Sequence, residues 1–182
     1  MQPIGPLMWE HRLIEQIVPL MDEKIQKMRS SAKADIVFIE RAVDFFRTYA
    51  DRTHHGKEED ILFLELEKKT LSDGLNRIMN ELQDEHMVAR KNVRILIDAG
   101  KAYREGDDSA LKKIISCMSS LIDLYPRHIE KEDKSFFFPV MDYFTPEEQN
   151  NMLNSFYEFD RKMIHEKYQD IMEGLGSKVK RW

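Results

Sequence analysis

A single cysteine, Cys117, stands among the 182 residues, so the chain closes no internal disulfide. Cys117 reads as a small helix residue, and the chain as one of a reducing cytoplasm. No apolar run approaches the roughly 20 residues that a membrane-spanning helix needs. The opening stretch, MQPIGPLMWEHRLIE, lacks the basic-then-apolar order of a secretory signal. Positive charge is not in excess: 28 Lys and Arg face 33 Asp and Glu, a net −5. Nucleic-acid binders usually carry a basic face, so no nucleic-acid partner is expected, and no membrane partner. Seven glycines and six prolines leave little material for long loops. What remains is rich in Leu, Ile, Met, Lys and Glu, with 34% charged residues, a helical composition.

Apolar residues recur at three- and four-residue steps almost throughout. A first helix is expected over about Leu7–Met28, kinked at Pro19. A second is expected over about Ala32–Lys68, with Ile36, Ile39, Val43, Phe46, Ala50, Ile61 and Leu64 on one side. Thr70 and Asp73 resemble a capping box before a third helix, whose stripe runs Leu75, Met79, Leu82, His86, Ala89, Val93, Leu96, Gly100, Tyr103. After the loop REGDDS comes a fourth helix from Leu111 to Phe136, with Pro126 inside it and Pro139 at its end. TPEE, Thr145 to Glu148, opens a fifth. That helix carries two stripes, Met152-Phe156-Phe159-Met163 and Leu153-Tyr157-Ile164-Tyr168, and must cover either the bundle or a second subunit. The expectation is an all-α protein: an up-down-up-down four-helix bundle over residues 1–142, followed by a C-terminal helical extension over 143–182.

Each of the first four helices places one histidine on its apolar stripe: His11, His54, His86 and His128. A glutamate follows two of them at i+4, Glu58 and Glu132, and such pairs share a helix face. On a wheel of about 100° per residue, Glu58 lies about 40° from His54, and the apolar residues within about 80° of it on the other side. His55 lies about 100° away, at the margin, with Glu59 beyond it. Buried unpaired, each carboxylate would cost several kcal/mol, and a di-cation removes that cost. Imidazole and carboxylate donors without cysteine suit Fe, Mn or Zn. The helix order His-then-Glu at i+4 differs from the Glu-x-x-His of ferritin-like centres.

HHGKEEDILF at His54–Phe63, HIEKEDKSFF at His128–Phe137, and EH at Glu10-His11 and Glu85-His86 together resemble the hemerythrin-like HHE cation-binding domains, over roughly Met8–Asp142. The resemblance implies a bundle holding two iron ions in a non-haem di-iron centre, with Zn or Mn possible in a recombinant preparation. It implies His11, His54, His86 and His128 as terminal ligands and Glu58 and Glu132 as bridges. Oxygen-carrying members place a second histidine four residues after that of the third helix, and here Arg90 stands there. Four histidines with two glutamates resemble the di-iron proteins linked to repair of damaged iron-sulfur clusters. Further donors would come from His55, Glu59 or Glu15. Glu59 and Asp133 are otherwise expected behind the ligands as acceptors or as surface charges. The implied activity is binding of, or reaction with, O2, NO or peroxide in oxygen or redox response. Its rivals are an enzyme or iron donor in cluster repair, and a structural or regulatory metal-binding bundle. A homodimer through the C-terminal helix is the expected assembly.

Overall fold

The structure, a computed structural model, describes residues 2–174, with side chains described through Lys167. The first bundle helix is broken in two: α1 (Ile4–Ile14) and α2 (Ile17–Ser31). The break lies at Glu15-Gln16 rather than at Pro19 itself. Glu15 is the residue four before Pro19, whose ring has no N–H to give that carbonyl and clashes with it. The carbonyl accepts instead from Val18 N at 3.3 Å.

The second bundle helix is one helical run from Ile36 to Glu67, starting as α3 (Ile36–Phe45) and ending as α4 (Leu64–Glu67). Asp35 caps its start, accepting from Phe38 N at 3.0 Å. Between α3 and α4 the run is largely π-helical, over Phe46–His55 and Glu58–Phe63. Bonding from i to i+5 takes more residues per turn, so each residue advances by less than 100°. The buried face therefore drifts along the run. Toward the end of the run, Leu62, Phe63 and Leu66 are buried with Ile61 half-buried beside them and Leu64 exposed, where a uniform wheel had favoured Ile61 and Leu64.

The third helix is α5 (Asp73–Arg104), capped by Ser72 rather than by Thr70: the Ser72 hydroxyl accepts from Leu75 N. The fourth starts as α6 (Ala110–Lys131), passes through a π turn at Glu132–Phe136, and continues as α7 (Phe137–Met141). Pro139 thus lies within it, and the helix ends at Met141. The fifth, α8 (Pro146–Gly174), begins with the reciprocal cap expected of TPEE. Glu148 N donates to Thr145 Oγ1 at 3.2 Å, and Thr145 N to Glu148 Oε2 at 2.8 Å.

Two apolar clusters fill the bundle. One holds Ile14, Phe46, Ala50, Ala89, Val93, Leu121 and Tyr125. The other holds Ile4, Leu7, Leu62, Phe63, Met79, Leu82, Phe136 and Phe137. Along the first helix the chain passes from the second cluster to the first, along the second helix back again, and so on by turns. That alternation is the up-down-up-down topology. The histidines lie where each helix crosses from one cluster to the other. The face of α8 bearing Met152, Phe156 and Met163 is buried on the bundle, while Tyr157 and Ile164 are exposed. Tyr168, named with that second stripe, lies outside the described side chains.

Candidate metal centre

His11, His54, His55, Glu58, His86, His128 and Glu132 are all buried in the layer between the clusters. Donor atoms of His11, His54, Glu58 and Glu132 lie within 4.8 Å of one another, as do those of His55, Glu58, His86 and His128. Glu58 belongs to both groups. Its Oε1 faces His54 Nε2 at 3.4 Å and its Oε2 faces His86 Nε2 at 3.4 Å. Glu132 does the same from the opposite wall, with Oε2 at 3.1 Å from His11 Nε2 and Oε1 at 3.3 Å from His128 Nε2. Each carboxylate therefore turns one oxygen to each half of the layer.

Behind the imidazoles a ring of carboxylates fixes their orientation. Glu10 on the first helix meets His54 Nδ1 of the second at 2.9 Å. Glu59 on the second meets His86 Nδ1 of the third at 2.6 Å. Glu85 on the third meets His128 Nδ1 of the fourth at 2.8 Å. Asp133 on the fourth meets His11 Nδ1 of the first at 2.7 Å, closing the circle. With Nδ1–H donated outward, Nε2 presents its lone pair inward. Yet His11 Nε2 lies 2.9 Å from His54 Nε2, and His86 Nε2 lies 3.2 Å from His128 Nε2. Two lone pairs facing at such distances repel unless a proton or a cation stands between them.

The four oxygens of Glu58 and Glu132 and both ring nitrogens of His55 are buried and accept or donate no well-formed hydrogen bond. A protein seldom leaves so many buried polar atoms without partners, and metal ligation supplies them. Residues 3–140 match the hemerythrin HHE cation binding domain. The chain belongs to that family. No curated protein and no solved structure matches the chain significantly. As a hemerythrin HHE domain it is a metal-binding helical bundle, and iron is the ion typical of the family.

Electrostatics in this HHE domain fit the same role. Burial, reinforced by neighbouring imidazoles, pushes His54 and His55 far below the usual histidine range, so both are neutral donors. Burial also lowers His86, against the pull of Glu59. His11 differs: burial would lower it, but the hydrogen bond to Asp133 and the facing carboxylate of Glu132 outweigh this and hold it at about 9. Burial and the charge of Glu132 push Glu58 well up. Burial acts on Glu132 in the same direction, but His128 and His11 outweigh it and hold that carboxyl down. A cation entering between them would displace the proton that His11 retains and favour the charged form of Glu58.

His55 is not marginal, as the uniform wheel had it, but 1% exposed, with its ring 3.8 Å from that of His86 and nearly parallel to it. The underwound π segment turns it inward beside His54. The adjacent HH, with a glutamate four residues after each, was the available signal, since a helix wound at less than 100° per residue brings two neighbouring side chains closer to one face. Glu59 stands behind His86 and also holds the Arg90 guanidinium at 2.9 Å. Glu15 lies outside the cluster, 41% exposed and paired with Arg12 at 3.1 Å. Sequence reasoning missed Lys57, fully buried between Glu10, to which its ammonium donates, and Asp160 of α8, 2.9 Å away.

Proposed function

We propose that this domain holds two iron ions in a non-haem centre and binds or reacts with a small ligand, O2, NO or a peroxide, in oxygen or redox response. The observation that carries the reading is the paired posture of Glu58 and Glu132, each with one oxygen toward either half of the layer. Two carboxylates so placed suit a pair of ions about 3.5–4 Å apart. On this reading His11 and His54 serve one ion, and His55, His86 and His128 the other. Bound there, ferrous ions would supply electrons and an open coordination position to the ligand. Glu58 and Glu132 offset the ions' charge, the outer carboxylates keep the imidazoles in one tautomer, and Phe63, Phe136 and Phe137 keep water from one side.

His55 favours this reading over cluster repair. It raises the buried imidazoles to five, the number in oxygen-carrying relatives, although it comes from the second helix rather than from the position of Arg90. The ion near His11 and His54 has the fewer side-chain donors, so the small ligand belongs on that side. The lone buried thiol, Cys117, suits a reducing cytoplasm, and no described helix is long and apolar enough to cross a membrane. Exposed Tyr157 and Ile164 on α8 support pairing of two copies through that helix.

The test is elemental analysis with optical spectra of anaerobically prepared protein, before and after air. Two irons per chain and a new near-ultraviolet band on oxidation are expected. One Zn per chain, or no metal after reconstitution, would remove the di-iron reading in favour of a structural bundle.

A further inference from the structure

We propose that a crevice beside His55 binds a small, planar organic monoanion, such as an aromatic carboxylate, against the outer edge of the metal centre. The crevice lies where the π-helical part of the second bundle helix faces α5 and α6, and its volume is about 370 Å³. That is within the range of small-molecule cavities. At roughly 30 Å³ per water-sized group, it has room for on the order of ten non-hydrogen atoms, far more than a diatomic needs.

Its inner end is formed by the buried rings of His55 and Tyr125, which are nearly parallel (11°) with centroids 6.4 Å apart. Phe46 and Val93 pack behind these rings, and exposed Ile97 gives the crevice the apolar wall that a flat body meets. Exposed Arg47 and Arg94 stand at the outer end.

The charge around the crevice is what points to an anion. Its lining includes three arginines, Arg47, Arg90 and Arg94, against the one carboxylate Asp51, a local balance of 3 − 1 = +2 in a chain whose net charge is −5. Arg90 is committed: its Nε meets Asp51 Oδ1 at 2.7 Å, and its terminal nitrogen meets Glu59. Among the described residues, Arg47 and Arg94 meet no carboxylate within ion-pair distance, so both guanidinium forks are open to a ligand carboxylate. The site as an anion pocket stands on this geometry. Only its nearness to a reactive ion rests on the metal reading above, through His55.

Benzoate is the probe and benzamide its uncharged counterpart of the same shape. Calorimetric titration of the iron-loaded protein is expected to show benzoate binding at least tenfold more tightly than benzamide. Arg47→Gln/Arg94→Gln is expected to abolish that preference while iron content stays unchanged. In crystals soaked with 4-iodobenzoate, the anomalous iodine peak is expected inside the crevice. Equal affinity for the two probes, no binding of either, an unaltered preference in the double variant, or an iodine peak elsewhere would each overturn the proposal. Protein that takes up no iron yet prefers benzoate would support the pocket and remove the metal reading. Iron-loaded protein indifferent to benzoate would remove the pocket alone.

Discussion

Gly56 lies directly beneath the ring of Phe159: a Cβ at Gly56 would stand 2.7 Å from Phe159 Cζ. The backbone at Gly56 is ordinary helix, φ −60° and ψ −42°, so space rather than conformation calls for glycine. In a helix alanine is favoured over glycine by up to about 1 kcal/mol. Here overpacking against α8 should outweigh that, at about 1–3 kcal/mol. Gly56→Ala is therefore expected to lower stability in urea unfolding, and the same change in a Phe159→Ala background to raise it. The same sign in both backgrounds would refute the contact.

Glu58 and Glu132 should be the hardest ligands to replace, since each faces both halves of the layer. Either change to Ala is expected to reduce iron from two per chain to one or none. Glu59→Ala, which removes the acceptor behind His86, should leave iron bound but weaken its affinity about 10–100-fold. Chelator competition followed by elemental analysis measures both. Retention of two tightly held irons by Glu58→Ala would defeat the bridging assignment.

His54→Ala and His55→Ala should both lose iron, because both imidazoles are buried in the layer, in different donor groups. Each is expected to retain about one ion, with distinct spectra from the two singly loaded proteins. A His55→Ala protein indistinguishable from wild type in metal content and spectrum would return His55 to a packing role.

Glu148 gives the α8 cap a pH dependence. Hydrogen bonds from Lys69 and from Thr145 N–H hold its carboxyl below the usual glutamate range. A depressed folded value means that the contribution is complete above about pH 4.5 and is lost as pH falls through the lower folded value. In wild type, then, the protection of the first-turn amides of α8, taken against the intrinsic exchange rate at each pH, should fall below about pH 4.5. Glu148→Gln should exchange faster already at neutral pH and respond less to acid. An identical acid response in the two proteins would count against the cap.

The helices and four of the buried imidazoles were legible because both recur at alternating three- and four-residue steps, which α5 keeps from Met79 to Gly100. The π segments were not, since bonding to i+5 leaves no mark in composition. A wheel of constant step consequently misplaced His55 and Leu64 together, one error with two symptoms. The carboxylate ring was half visible: the EH pairs show that Glu10 and Glu85 precede histidines, but not that each serves the histidine of the next helix. Such cross-helix service depends on helix order around the bundle, which spacing along one chain does not encode. Lys57 was hidden for the same reason, its partners standing 47 residues before it and 103 after it.

Lys57 also makes the protein its own recorder. Among the described residues it is the buried lysine, shut in by Asp160 and the ring of Phe156, 5.9 Å from its ammonium. An amine-acylating reagent will mark the surface lysines within seconds and reach Lys57 only in molecules whose C-terminal helix has lifted away. Read peptide by peptide in a mass spectrometer, the slow growth of that one label would time the lifting, with the remaining lysines as the built-in standard.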